Sequence, residues 1–260
     1  MLSGSIALAK RFLIHWLNAV DQHSLQAPFI YDFYTRVIKN KPESQKLHAI
    51  QELRRNLLNE QTTLTVTDFG TGNSKPQQRI VGDLVRKSNH LKVSRLLYNI
   101  ATRYKPMVIV ELGTSLGLGT LHLAAAAPQS KIITFEGCPE TSEKAKCNFK
   151  ELGVEHIQLV TGTLDKTLGN VLSSLERIDL LFIDANHRYH ATLKYFTQCL
   201  PKIHSKSILV MDDIHWSEEM EHVWQQVLLY NEVSLTVDLF QVGVVFFDKS
   251  LSKSHHVLVW

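Results

Sequence analysis

The sequence predicts a doubly wound α/β fold, with a mostly parallel seven-stranded sheet, one antiparallel strand and an N-terminal helical extension. Three observations carry that expectation. From His90 onward, apolar runs of strand length alternate with amphipathic stretches of helix length. Those runs are continuously apolar, as parallel strands are when helices bury both faces of a sheet. One of them, Val108-Ile109-Val110-Glu111-Leu112, passes directly into a glycine-rich turn and then into a helix-like apolar stretch.

The elements follow in order. Residues 1–89 form the extension, with apolar residues at three- and four-residue steps over Ile6 to Val20, Ala27 to Ile38 and Glu43 to Asn59. Pro28 and Pro42 stand where helices begin. Thr62 to Phe69 alternates like a short strand, and Gly70 to Gln78 is a polar loop. Residues 90–260 form the main domain. Helix Lys92 to Tyr104 leads to strand Met107 to Leu112, helix Leu118 to Ala126, strand Lys131 to Phe135 and helix Thr141 to Leu152. Strand Ile157 to Val160, helix Lys166 to Leu175, strand Ile178 to Ile183, helix Tyr189 to Leu200, strand Ser207 to Met211 and helix Glu218 to Leu229 come next. Repeated β-α units of this kind wind a right-handed parallel sheet. The last two β-rich runs, Ser234 to Phe240 and Val242 to Phe247, have no helix between them, so one strand is antiparallel.

Bulk composition narrows the function classes. The chain has 260 residues, 44% hydrophobic and 20% charged, with a net charge of +3, too small a surplus to argue for nucleic acid as partner. Cys138, Cys147 and Cys199 show no CxxC spacing, which argues against a disulfide framework or zinc knuckle and for a reducing, cytoplasmic setting. Lys10, Arg11 and His15 break the apolar N-terminus, which reads as an amphipathic helix and not a signal peptide. No segment has the apolar length to span a membrane.

The glycine turn is the first candidate site. A strand, a tight turn and a helix start hold nucleotide-like ligands at the carboxyl edge of a parallel sheet. The spacing here, Gly113-x-x-x-Gly117-x-Gly119, departs from the G-x-G-x-x-G dinucleotide fingerprint, which opposes an NAD-linked oxidoreductase. Glu111 is placed to meet a cationic amino-acid portion of a ligand, and Glu136, ending the next strand, to accept hydrogen bonds from ribose hydroxyls. S-adenosylmethionine has both features. Val66-Thr67-Asp68-Phe69-Gly70-Thr71-Gly72-Asn73 imitates the motif, but a polar loop follows it instead of a helix, so it reads as an ordinary turn, with a loop over the active site as the sharper alternative.

Glu111-x-Gly113-x-x-x-Gly117, Glu136 one strand later, Gly162-Thr163 after the third strand and Asp184 after the fourth together resemble the class I, Rossmann-like S-adenosylmethionine-dependent methyltransferases. Within that class the chain is similar to the metal-dependent O-methyltransferases of the catechol and caffeoyl-CoA type. The resemblance implies that Glu111, Gly113, Thr114, Ser115 and Gly117 line the methionine end of the cofactor. It gives Glu136 the ribose, sets Gly137, Thr163 and Leu164 beside the adenine, and counts Asp184 among the residues bordering the cofactor.

Asp184 ends the fourth strand of the domain, and Asp212 and Asp213 end the fifth, so these carboxylates are expected at one sheet edge. Carboxylates that close repel unless protonated or neutralised, and a hard divalent cation, Mg²⁺ by preference, resolves the repulsion. The resemblance implies the same three as metal ligands, with Asp213 standing where the family carries asparagine. His187 occupies the place of the family's lysine, and histidine suits general-base work near neutral pH. With Asp184 it is the candidate catalytic residue, and His215 and Trp216 are candidates to border the substrate. The expected activity is O-methylation of a small hydroxylated molecule. The rival readings are a metal-free methyltransferase acting on nucleic acid or protein, and a non-catalytic S-adenosylmethionine-binding protein. Asp184-Ala185-Asn186-His187 lacks the Pro-Pro-aromatic motif of base-nitrogen methylation, and neither Cys138 nor Cys199 is placed for cytosine C5 chemistry, which disfavours nucleic acid. The aromatic segment His23 to Tyr31 could lid a pocket or build a homodimer, although packing against the sheet is the plainer expectation.

Overall fold

The computed structural model describes residues 2–67, 75–87 and 91–260. The Gly70–Asn73 segment therefore lies outside the described residues. The chain divides into two compact units, one of residues 1–40 with 177–260 and the other of residues 41–176.

In chain order, α1 (Leu2–Asn18) is followed by α2 (Pro28–Phe33), which opens with proline in its first turn and runs on through a wide turn at Tyr34–Ile38. Next, α3 (Gln45–Asn59) is capped by Ser44, whose hydroxyl accepts the Leu47 N–H at 3.2 Å. Then come β1 (Thr63–Val66), β2 (Gln77–Ile80), α4 (Val81–Lys87) and α5 (Leu91–Tyr104). The alternating region follows as β3 (Val108–Leu112), α6 (Leu118–Ala126), β4 (Lys131–Glu136), α7 (Pro139–Glu151), β5 (Ile157–Thr161) and α8 (Leu164–Ser173). It continues with β6 (Ile178–Ile183), α9 (Tyr189–Cys199), β7 (Ile203–Asp212), α10 (Glu218–Leu229), β8 (Leu235–Asp238), β9 (Val242–Phe246) and β10 (Ser254–Val257). The mostly parallel, helix-connected architecture is the doubly wound class that the sequence predicts.

In the unit of residues 41–176, β3, β4 and β5 run parallel, with Leu112 opposite Phe135 and Glu136 opposite Thr161. Their carboxyl ends therefore deliver the glycine turn, Glu136 and the Gly162-Thr163 pair to one edge. A cluster of Leu47, Ile50, Leu53 and Leu57 from α3, Val81 and Val85 from α4, and Ala145 and Phe149 from α7 packs with Leu116, Leu118 and Leu121. Each fully buried leucine contributes about 1.5–3 kcal/mol. Leu116 and Leu118 flank Gly117, so this core clamps the glycine turn from both sides. β1 and β2 form a separate antiparallel pair. Gln77 and Gln78 are thus strand, a correction to the expected loop, because pairing with β1 supplies what their polar pattern does not announce.

In the other unit the strand order is β10-β8-β9-β7-β6. β6 and β7 are parallel, with Ile183 opposite Met211, which sets Asp184 and Asp212 at neighbouring strand ends. β9 is antiparallel to both β7 and β8, as expected of the terminal pair. β10, a strand that the expected seven did not include, pairs parallel with β8. Trp224 of α10 is wholly buried, and Gly243 makes room for it: a Cβ there would sit 2.4 Å from the indole. The Phe29 and Phe33 rings of α2 meet Phe246 of β9 edge-on at 5.0 and 5.1 Å.

Candidate active site

The glycine turn is built by backbone conformations that few side chains tolerate. Gly113 has φ +106°, Ser115 +49° and Gly117 +83°. At Gly117 a Cβ would come within 2.4 Å of the Phe149 ring, so both the turn and its close packing require glycine. Gly113 and Thr114 donate their N–H groups to the Phe135 carbonyl at 3.1 and 2.9 Å, which ties the turn to the end of β4. Asn148 of α7 donates to the Leu116 carbonyl at 2.8 Å. α6 starts directly after Gly117, so its first N–H groups open towards the turn, as at sites that attract electron-rich ligand atoms.

Glu136 organises this edge. Its Oε2 accepts the Ser115 N–H at 2.8 Å, its Oε1 accepts the Cys138 N–H at 2.9 Å, and its carbonyl accepts the Gly162 N–H at 2.8 Å. One residue thus joins the turn after β3, the start of α7 and the turn after β5. Gly162 has φ +135°, a backbone that only glycine adopts freely. Thr163 caps α8, its carbonyl accepting the Lys166 and Thr167 N–H groups at 2.9 and 3.1 Å, and Leu164 opens that helix half-buried. Gly137 is half-buried beside Glu136. Glu111 is deeper, at 1% exposure, and its Oε2 accepts the hydroxyls of Thr120 and Thr134 at 2.5 and 2.6 Å. Thr134 also bonds Thr114 at 2.6 Å. All the sequence-predicted residues of this half, Glu111 to Leu164, stand in the unit of residues 41–176.

The second group stands in the other unit. Asp184, His187, Asp212 and Asp213 come together there, as the strand order requires. The His187 Nε2 lies 3.5 Å from the Asp184 Oδ1 and its Nδ1 lies 3.8 Å from the Asp213 Oδ2. Burial, and then the charges of Asp184 and Asp213, push the Asp212 carboxyl well above the ordinary carboxylate range, against the opposing pull of the Asp213 N–H. The Asp212 Oδ1 is buried without a hydrogen-bond partner, and so are the His187 Nδ1 and the Gln241 Nε2. Asn186, His187, Asp213 and Phe240 all hold positive φ, at 68°, 27°, 57° and 67°. Unpartnered buried polar atoms and left-handed backbone thus gather in this part of the chain, which makes it a candidate ligand site. Among the described residues, no group of three His, Cys, Asp or Glu stands ready-made to hold a metal ion.

Two residues escaped the sequence reading. Gln241 follows Phe240 in the β8–β9 turn, and its carbonyl accepts the Ile214 N–H at 3.2 Å. Asp238 ends β8 and bonds His215 at 2.7 Å. An acid at a strand end, the signal that exposed Glu136 and Asp184, was present there too. His215 is buried behind this bond, whereas Trp216 is 61% exposed. Cys147 is exposed, and Cys138 and Cys199 are buried. No helix among the described residues is long and apolar enough to cross a membrane.

Residues 110–214 match the family described as methyltransferase domain. The catechol O-methyltransferase of Mycobacterium tuberculosis is 29% identical over 108 residues, 41% of this chain and 47% of that protein. A probable O-methyltransferase of the same organism is 30% identical over 129 residues, 46% of this chain and 54% of that protein. The chain thus spans about half the length of these curated relatives. The SAH-bound structure of a Podospora anserina methyltransferase superposes with a TM-score of 0.60 at 17% identity, over 86% of this chain and 97% of that one. Over residues 110–214 the chain thus carries a methyltransferase domain, it is similar in sequence to two O-methyltransferases over about half their length, and it has the fold of a solved methyltransferase.

Proposed function

We propose that the protein binds S-adenosylmethionine through the glycine turn, Glu136 and the Gly162–Leu164 turn, and transfers its methyl group to an oxygen of a small hydroxylated molecule. The observation that carries this reading is Glu136, a half-buried carboxylate whose oxygens accept N–H groups on either side of the ligand-sized turn. Such a group can accept ribose hydroxyls while holding the turn in shape. Gly137, Thr163 and Leu164 border the adenine, and Gly113, Thr114, Ser115 and Gly117 the methionine end. Glu111 is engaged by two threonines, and its charge acts on the ligand's ammonium from beneath the turn. The O-methyltransferase relatives and the SAH-bound Podospora protein support the assignment.

Asp184, Asp212 and Asp213 supply a donor set that fits a hard divalent cation such as Mg²⁺. They are oxygen donors, and the one most deeply buried has an unpartnered oxygen and an unfavourable charge that a cation would relieve. A cation held by these acids would supply Lewis acidity that makes a substrate hydroxyl easier to deprotonate. His187, between Asp184 and Asp213, takes the substrate proton at a ring nitrogen, and the two acids hold the ring oriented and stabilise the charge it gains. The substrate oxygen then bonds the sulfonium methyl in line as the methyl–sulfur bond breaks and S-adenosylhomocysteine leaves as a neutral thioether, so that the protein contributes positioning and charge stabilisation. Trp216, exposed beside these acids in sequence, offers an apolar face to the substrate.

Isothermal titration with S-adenosylmethionine tests the cofactor half. Glu136→Ala is expected to weaken binding by about 10- to 100-fold, the worth of hydrogen bonds to a charged group. Undiminished binding by that variant, or no heat from the wild type, overturns the reading. Labelled methyl donor and a panel of catechols and other hydroxylated molecules, run with Mg²⁺ and with EDTA, test the second half, and turnover indifferent to EDTA removes the cation from the proposal.

A further inference from the structure

Asp238 is a carboxylate at 3% exposure whose two oxygens are both engaged. Its Oδ1 takes the Phe240 N–H at 2.8 Å and lies 3.1 Å from the His15 Nε2, while its Oδ2 lies 2.7 Å from the His215 Nε2. The other nitrogen of His215 lies 3.5 Å from the Glu221 Oε1, and the Glu221 Oε2 accepts the Arg11 Nε–H at 2.9 Å. Arg11 and His15 are one turn apart on α1, so the contacts close into a ring running Arg11, Glu221, His215, Asp238, His15. Phe240 seals it. Its ring stacks on His215 at 5.3 Å and 18°, and meets His15 and Phe12 edge-on at 5.4 and 5.0 Å.

The ring is more than a clip for α1. His215 belongs to the segment 212–216, which leaves β7 with Asp212 and Asp213 and passes through a left-handed backbone at Asp213. Onward of Asp213, the Ile214 N–H donates to the Gln241 carbonyl at 3.2 Å and the Trp216 N–H to the Asp213 carbonyl at 3.0 Å. An imidazole bonded through Nε2 to Asp238, with its Nδ1 3.5 Å from Glu221 and one face stacked on Phe240, adds a side-chain restraint. Burying a carboxylate for the sake of helix docking alone is poor value, since apolar contacts would serve as well. A directional bond to a loop that must present two acids in one orientation is what such a group does better than an apolar one.

We propose that Asp238 is a positioning residue that acts through His215 to fix the 212–216 segment, and that α1 belongs to the same fixture through His15 and Arg11. The inference rests on the reading of Asp212 and Asp213 as substrate-side acids.

Amide hydrogen exchange of the full chain tests it without any substrate. In Asp238→Asn and His15→Gln, exchange at Ile214 and Trp216 is expected to quicken by tenfold or more. In Tyr34→Phe, which removes a 3.0 Å hydrogen bond to the Val259 carbonyl elsewhere in the same unit, exchange at those two amides is expected to stay as in the wild type. His215→Gln, which keeps a donor for the Asp238 Oδ2, is expected to restore most of the protection that His215→Ala loses. Unchanged exchange in both Asp238→Asn and His15→Gln, or an equal rise in Tyr34→Phe, overturns the proposal. With a catechol as probe substrate, Asp238→Asn and His15→Gln are expected to lose tenfold or more in kcat while the KM for S-adenosylmethionine stays within twofold. A wild type inactive on every probe defeats the functional reading, while the exchange data still decide this one.

Discussion

Gly117 shows how much of the site is decided at single residues. Its φ of +83° costs any other residue about 1–2 kcal/mol, and its missing Cβ is where the Phe149 ring lies, 2.4 Å from the position that atom would take. Overpacking of that kind adds about 1–3 kcal/mol. Gly117→Ala is therefore expected to lower stability by about 2–4 kcal/mol, measured as a shift of the urea midpoint at constant slope. Gly117→Ala combined with Phe149→Leu is expected to recover the steric share and keep the backbone share. A single variant as stable as the wild type would show that the turn is free to move, and the case for a preformed cofactor cradle would weaken with it. The glycine was legible in the sequence because its spacing from Glu111 and Gly113 was unusual; its dependence on Phe149, thirty-two residues on, was not, since no local pattern encodes which ring fills the gap.

At the scale of elements, helices were read best where a cap or an apolar face fixes them locally. α10 is an example. Ser217 caps it by accepting the Met220 N–H at 3.2 Å, and Glu218, Glu219 and Glu221 set negative charge in its first turn, where the helix dipole favours it. Ser217→Ala is expected to cost about 1 kcal/mol in chemical unfolding, and Ser217→Asp close to nothing. A loss as large in Ser217→Asp would mean that shape and not capping matters there. β2 and β10 escaped the sequence reading for a shared reason. Gln77-Gln78-Arg79-Ile80 and Ser254-His255-His256-Val257 carry no apolar alternation, and they are strands because β1 and β8 offer them hydrogen-bonding edges. The site divides in the same way. Glu136, Asp184 and Asp212 are legible as acids ending apolar runs, whereas Asp238 falls inside the β-rich run Ser234 to Phe240. Its partners His15 and His215 lie 223 and 23 residues away, and only the folded chain brings them to it.

Over the whole molecule, two buried carboxylates pull stability in opposite directions with pH. Burial opposes ionisation of Asp238, but hydrogen bonds from His15 and His215, the His215 charge and the Phe240 N–H together outweigh it and hold the group well below the ordinary carboxylate range. Its contribution is present above the unfolded-state pKa and is lost as pH falls through the lower folded-state value. Asp212 is displaced upward, so the folded state takes its proton more readily than the unfolded chain. The cost of Asp212 therefore grows as pH rises from the ordinary carboxylate pKa through the folded-state value, and is complete above it. Asp212→Asn is then expected to gain on the order of 1 kcal/mol at about pH 7.5, a gain that shrinks towards about pH 4, while activity is lost. Asp238→Asn is expected to lose about 3 kcal/mol at the higher pH, with the gap closing only in strong acid, because the acid it lacks stays ionised in the folded protein through most of that range. Thermal unfolding of both variants and the wild type across this window checks the signs. A destabilised Asp212→Asn at neutral pH would mean that the Asp212 charge is already compensated within the fold, which removes the physical reason for assigning a cation to these acids.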